Sequence, residues 1–234
     1  LYQCRVSLKK GGQVCDEAVA AFGVRSLSWG GEGFLVNGKR TLLRGACIHH
    51  DNGVLGACDF RDAEYRRVRI LKEAGFNAIR SSHNPISEAM LDACDELGMY
   101  VMDETWDYWL VHKNAHDHAR ETFLEWWKKD VDSIVGRDYN HPSVVMYSIG
   151  NEISELGTQE GQKLCQEIAE YVKSKDSSRA VTCGINLMLA SMAAKGGGIY
   201  GEKKNGKENK NGSQSMDSMP TSAFYNMLMN KMGG

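Results

Sequence analysis

In Ser143-Val144-Val145-Met146-Tyr147-Ser148-Ile149-Gly150-Asn151-Glu152, residues 143–149 read as a strand, and Gly150, Asn151 and Glu152 follow at its end. A run this rich in β-branched and large apolar side chains, with little polar alternation, suits a strand covered on both faces. Before it, Phe123, Trp127, Val131 and Ile134 recur at spacings of four, four and three. That period predicts a helix ending near Arg137, and His141-Pro142 bars its continuation. After it, Leu164, Ile168, Tyr171 and Val172 line a second helix running to the turn Asp176-Ser177-Ser178, and Ala180–Gly184 forms the next strand.

The same alternation extends back to Gly45. Residues 41–47 form the first candidate strand, and Asp59 is placed to cap a helix with Val68, Leu71 and Ala74 on its inner face and Gly75 at its end. Residues 76–81 are the second strand. Ser87 is the next N-cap, Leu91, Cys94 and Leu97 follow at helical spacing, and Gly98 closes that helix before a third strand at 100–102. Strands alternating with helices in this way define an α/β chain with a parallel sheet. A short helix over 187–195 follows the fifth strand. Residues 196–218, rich in Gly, Lys, Asn and Ser, are too polar to bury a face and read as a flexible surface excursion. Met227, Met229 and Met232 beyond it suit an amphipathic helix.

The N-terminal end differs. Residues 1–8 and 13–24 read as strands around Lys10-Gly11-Gly12 with no helix between them, as in the last hairpin of a preceding all-β domain. The domain boundary is expected at 28, with residues 29–234 as the N-terminal part of the α/β domain. A second hairpin signal, Phe34-Leu35-Val36 and Thr41-Leu42-Leu43 around Asn37-Gly38, leads into that domain.

The 28 basic and 30 acidic residues leave a net charge of −2, without the basic excess that binding to a phosphate backbone requires, so no nucleic-acid partner is expected. No apolar stretch approaches the roughly 18 residues that span a bilayer, and no membrane partner is expected either. The seven cysteines contain no CxxC pair and do not form a disulfide pattern, which fits a reducing compartment such as the cytoplasm. Cys47, Cys94 and Cys183 lie in apolar runs, where a thiol acts as a small hydrophobe. The first residue is Leu1, which leaves any leader, and with it the location, open.

Asn140-His141-Pro142-Ser143 followed by Ser148-Ile149-Gly150-Asn151-Glu152 resembles the acid/base signature of glycoside hydrolase family 2, which holds β-galactosidases, β-glucuronidases and β-mannosidases. Asn37-Gly38-Lys39, Arg44-Gly45, His49-His50-Asp51, Arg80-Ser81-Ser82-His83-Asn84-Pro85 and Asp103-Glu104 extend the resemblance in order, over roughly residues 21–184. It implies a (β/α)8 TIM barrel, of which about five of eight strands are present here, preceded by the tail of an immunoglobulin-like β-sandwich at residues 1–28.

The chemistry implied is hydrolysis of terminal β-glycosidic bonds with retention, in carbohydrate metabolism, on a β-linked glycoside or oligosaccharide. By the resemblance Glu152 is the general acid/base, and Asn151 hydrogen-bonds the sugar 2-hydroxyl. His49, Asp51, His83 and Asn84 line the glycone pocket, and Trp106, with Trp109, offers a sugar face an apolar platform. Asp103 and Glu104 are supporting carboxylates in the pocket or braces for Arg80. The family's nucleophile, a Glu ending the seventh strand, is expected outside these residues, so the 234 residues by themselves are expected to lack turnover. Residues 103–109 do not clearly reproduce the Glu and His on which some members build a Mg2+ site, so a divalent metal is left open without support from the sequence and no other cofactor is expected; His112, His116 and His118 read as part of a solvated loop. The contexts of His49-His50-Asp51-Asn52-Gly53 and Met102-Asp103-Glu104 favour a galactoside, with a glucuronide or another β-glycoside as alternative. The reading from another class is a non-catalytic carbohydrate-binding fragment. Homo-oligomerisation is left open.

Overall fold

A computed structural model describes residues 1–114 and 116–195. The excursion expected over 196–218 and the methionine-rich helix beyond it lie outside the described residues. An antiparallel hairpin opens the chain, β1 (Tyr2–Lys10) with β2 (Gln13–Phe22), and Gly11 and Gly12 supply the positive φ angles of 59° and 84° that a tight two-residue turn needs. A small antiparallel sheet follows, β3 (Leu27–Gly30), β4 (Gly33–Val36) and β5 (Lys39–Arg40).

The remainder alternates strand and helix: β6 (Gly45–His49), α1 (Arg61–Glu73), β7 (Ala78–Ser82), α2 (Glu88–Leu97), β8 (Tyr100–Glu104), α3 (Arg120–Asp138), β9 (Val144–Asn151), α4 (Gln159–Lys175), β10 (Ala180–Gly184) and α5 (Leu187–Ala194). These five long-range strands pair in parallel in the order β10-β9-β8-β7-β6. Strand order thus equals chain order, with no reversal point of the kind that marks an open doubly wound sheet, which is the winding of a (β/α) barrel.

Some expected boundaries shift. The first strand of the parallel sheet begins at Gly45 rather than at Thr41, because the side-chain amide of Asn77 holds Leu42 O at 2.9 Å and its Oδ1 accepts from Arg44 N at 2.6 Å, bending residues 42–44 away from strand pairing. Asp59 does not cap α1; the N-cap is Phe60, without a side-chain bond. Ser87 does cap α2, accepting from Met90 N at 3.2 Å, and Gly98 ends it in the left-handed conformation. Cys94 is buried as expected of a small hydrophobe, whereas Cys47 is exposed, since it stands on β6, the edge of the parallel sheet.

The core lies between the sheet and the helices. Val68 of α1, Leu91 and Cys94 of α2, Val131 of α3 and Ile168 of α4 meet Val101, Val144 and Tyr147 there, all essentially without solvent exposure. Trp127 belongs to this layer, but Trp126 points outward with Lys129 Nζ 3.9 Å from its ring centre.

The segment entering β9 is bound by arginines that satisfy its carbonyls. Arg25 donates to Pro142 O at 2.7 Å and Val144 O at 2.6 Å, and buried Arg179 donates to Asp138 O, Tyr139 O, His141 O and Val144 O. His141 Nδ1 bonds Asp95 Oδ2 at 2.7 Å, and Asp95 Oδ1 accepts from Ser143 N at 2.8 Å. Burial alone would lower the His141 pKa, but the bond to Asp95 and its charge outweigh that and raise it above 6.5.

The stabilisation from charged His141 is therefore full below pH 6.5 and lost as pH rises through the higher folded pKa. A loss of stability is expected over that window, and His141→Gln should flatten it. Urea denaturation at a series of pH values measures both; an unchanged pH slope in the variant would refute the assignment.

Candidate active site

Alternation along a strand sends neighbours to opposite faces, and the pair Asp103-Glu104 shows the consequence. Asp103 faces the helices, where it accepts from Ser81 Oγ at 2.7 Å, Ile86 N at 2.9 Å and Arg137 Nη2 at 2.6 Å. Burial, and next the adjacent Asp138 carboxylate, push its carboxyl well above the usual range. It braces α3 and is not brought to the strand-end group. Glu104 turns the other way, into the sheet's inner face.

Glu104 is 0% exposed and fully engaged. Its Oε2 accepts from Arg80 Nε at 3.0 Å, Arg80 Nη2 at 2.6 Å and Ser148 Oγ at 2.5 Å, and its Oε1 meets His83 Nδ1 at 2.8 Å. Arg80 Nη2 also donates to Asn151 Oδ1 at 2.9 Å, and Asn151 Nδ2 donates to Asp107 Oδ1 at 2.8 Å. Arg80 can only donate and the Asp107 carboxylate can only accept, so one orientation of the Asn151 amide satisfies both. Lys113 Nζ completes the chain, donating to Asp107 Oδ1 at 2.7 Å and Asn151 O at 2.9 Å. Burial tends to raise the Asp107 pKa, but the bonds from Lys113 and Asn151 more than reverse it and hold the carboxyl below the usual range.

Glu152 follows at the end of β9 with φ 47°, a left-handed conformation uncommon outside glycine. Its N–H donates to Gly184 O at 2.7 Å, and its Oε1 accepts from Asn186 Nδ2 at 3.0 Å. Asn186 Oδ1 in turn caps α5 by accepting from Met188 N and Leu189 N. Gly150 is required just upstream, because a Cβ there would lie 2.7 Å from Ile153 and 3.0 Å from the Trp109 indole nitrogen.

A cavity of about 600 Å³ opens beside this group, lined by His49, His50, Ser82, His83, Asn84, Thr105, Trp106, Asp107, Tyr108 and His118. His49 stands edge-on to His83, ring centres 5.4 Å apart. Of the residues expected here from the sequence, His49, His83, Asn84 and Trp106 line the cavity directly, and Asn151 is joined to it through Asp107. Asp51 is not among them: it is exposed and its carboxylate turns back to accept from Gly53 N at 3.0 Å, stabilising its own turn. Trp109 is fully buried, its indole N–H on Ile149 O at 2.8 Å, and offers no platform.

The segment read as a solvated loop is partly packed. His118 stacks on Tyr108 and Phe123, with Nδ1 2.5 Å from Tyr108 Oη. Among the described residues no three His, Cys, Asp or Glu converge as a metal cage, and Glu104 and Asp107 are already paired with cations. Asp107, Lys113 and Asn186 were not visible as site residues; a carboxylate three positions past Glu104 was the one available signal.

The family model described as glycosyl hydrolases family 2, TIM barrel domain, matches residues 29–204. This chain belongs to glycoside hydrolase family 2. Among its relatives, a β-galactosidase named BoGH2A from Bacteroides ovatus is 37% identical over 218 residues, covering 80% of this chain and 26% of the relative. A putative β-glucuronidase from Formosa agariphila is also 37% identical, over 186 residues, covering 79% of this chain and 17% of that protein. The crystal structure of a family 2 member from Bacteroides cellulosilyticus superposes with a TM-score of 0.73 at 48% identity, covering 79% of this chain and 24% of that one. The chain therefore spans about a quarter or less of these three proteins. Family 2 membership agrees with the winding of the five parallel strands and with a polar group at their C-terminal ends, where barrel enzymes of this kind carry their sites.

Glu104→Ala would leave the Arg80 guanidinium without its carboxylate in a largely desolvated position, a change expected to cost about 3 kcal/mol. Glu104→Gln, which keeps the shape and one acceptor, should cost less. Urea denaturation of the intact protein gives both values, and an alanine variant as stable as the parent would show that the pair carries no net stability.

Proposed function

We propose that the intact protein hydrolyses terminal β-glycosidic bonds with retention, with Glu152 as acid/base. The observation that carries this reading is the setting of Glu152: a carboxylate directly after β9, next to the Asn151 amide, which is fixed by Arg80 and by Asp107, a residue lining a cavity with an aromatic wall. A retaining glycosidase needs one carboxyl group to protonate the leaving oxygen and later activate water, and a second to attack the anomeric carbon. Asn151 retains one amide hydrogen beyond its bond to Asp107, suited to a glycone 2-hydroxyl.

Glu104 and Asp107 are poor candidates for the attacking carboxylate. Glu104 is saturated by Arg80, His83 and Ser148, and Asp107 Oδ1 is held by Lys113 and Asn151. The reading assigns that role to a carboxylate outside the described residues.

For the sugar, the reading is a β-galactoside. The contexts of His49-His50-Asp51-Asn52-Gly53 and Met102-Asp103-Glu104 support it, as does a β-galactosidase among the relatives at 37% identity. The β-glucuronidase relative of equal identity keeps a glucuronide as the second reading.

The intact protein should cleave aryl β-galactosides in preference to aryl β-glucuronides. Glu152→Ala should lose roughly 10²-fold or more on substrates with poor leaving groups, retain far more on activated aryl substrates, and yield a β-glycosyl azide when azide is added. Product analysis by NMR decides: absence of azide rescue on an activated substrate would remove Glu152 from the acid/base role.

A further inference from the structure

The peptide unit that joins Asn151 to Glu152 is held at both ends. Its N–H donates to Gly184 O at 2.7 Å, and its carbonyl accepts from Lys113 Nζ at 2.9 Å. The residue it leads into, Glu152, has φ 47°, a conformation that persists at a non-glycine position only where the surroundings over-determine it. The same ammonium grips Asp107 Oδ1 at 2.7 Å, and that oxygen takes an amide hydrogen of Asn151 at 2.8 Å. One cation thus reaches the backbone of Asn151 directly and its side chain through one carboxylate.

A plainer account would have the Lys113–Asp107 pair do no more than close the loop between β8 and α3. That loop has other closures. Asp117 Oδ2 accepts from Lys113 N at 2.6 Å and Asn114 N at 2.8 Å, Tyr108 Oη accepts from His118 N at 2.6 Å, and Glu155 Oε1 accepts from Leu110 N and Val111 N at 2.7 and 2.9 Å. These bonds leave the Lys113 side chain, 9% exposed, to extend across to the end of β9. Burying an ammonium is unfavourable unless its donors are met, and two of its partners belong to the Asn151 environment.

We infer that Lys113 and Asp107 are positioning residues for the glycosidase reaction, a clamp that sets the Asn151 amide against the glycone 2-hydroxyl and fixes the backbone from which Glu152 approaches the glycosidic oxygen. The inference rests on the reading of Asn151 and Glu152 given under Proposed function. Neither clamp residue touches the reacting atoms. Their effect is geometric, and displacement by about 1 Å of a group that meets a transition state can cost on the order of 10²-fold in rate.

The test compares an aryl β-glycoside with its 2-deoxy analogue on the intact enzyme. Asn151→Ala should lower kcat/KM strongly for the parent sugar and little for the 2-deoxy sugar. Lys113→Met should do the same, with about a 10²-fold loss on the parent and a much smaller one on the analogue, while Lys113→Arg should recover most of the loss. If Lys113→Met does not accumulate as folded protein, Asp107→Asn carries the comparison, since it removes the charge that Lys113 grips while keeping the side-chain shape. Equal losses on both substrates, or no loss, in the clamp variants while Asn151→Ala narrows the difference would overturn the clamp alone. An Asn151→Ala enzyme that still distinguishes the two sugars as the parent does would overturn the role of Asn151 on which the clamp depends.

Discussion

A carboxylate with no solvent exposure is a demanding constituent of a protein interior, and Glu104 organises the strand ends around that demand. Unpaired, its charge would cost several kcal/mol. Its partners come from three places: Arg80 on β7, His83 just beyond β7, and Ser148 on β9. Register makes this economical, for Glu104 lies directly opposite Ser148, and Arg80 opposite Met102, two residues before Glu104 on the same face. Once Arg80 is drawn to Glu104, its Nη2 also reaches Asn151, and the orientation of that amide follows.

The order thus imposed spreads outward with decreasing burial. Glu104 is enclosed, Arg80 and Lys113 are mostly covered, and Asp107 is a third exposed and borders the cavity. A site arranged this way has its rigid, desolvated charges behind and its adaptable polar atoms in front, which keeps donor and acceptor positions fixed without closing the cavity to a ligand. Below the loop, Trp109 ties the loop to Ile149 of β9, and Glu155 ties residues 110 and 111 to the segment after Glu152. The two loops that carry Asp107 and Glu152 are therefore tied to each other as well as to the sheet.

Much of this was legible in the sequence because the core obeys simple periods. The spacing of Phe123, Trp127, Val131 and Ile134 marked the buried face of α3, and Ser87 with Gly98 marked both ends of α2, since each of these features is local. What sequence could not show depended on distant partners. Residues 41–44 look as strand-like as 45–49, but Asn77, more than thirty positions away, bends them out of register. Asp51 and Asp103 carry the right chemistry in the right neighbourhood, yet one closes its own turn and the other faces the helices. Lys113 and His118 lie in a polar stretch whose composition signals solvent, and only the packing of the loop on Phe123 and Asn151 withdraws them from it.

The balance of charge in the cluster bears on what chemistry it can support. Glu104 is matched by Arg80 and Asp107 by Lys113, so these four groups form two neutral pairs linked by a neutral amide. Such an arrangement fixes dipoles without adding net charge to the cluster. Glu152 stands apart from it, meeting the neutral Asn186 amide instead of a cation. The Asn186 side chain that holds Glu152 also caps α5, so the direction of this carboxylate is set by the start of that helix and not by the charged cluster.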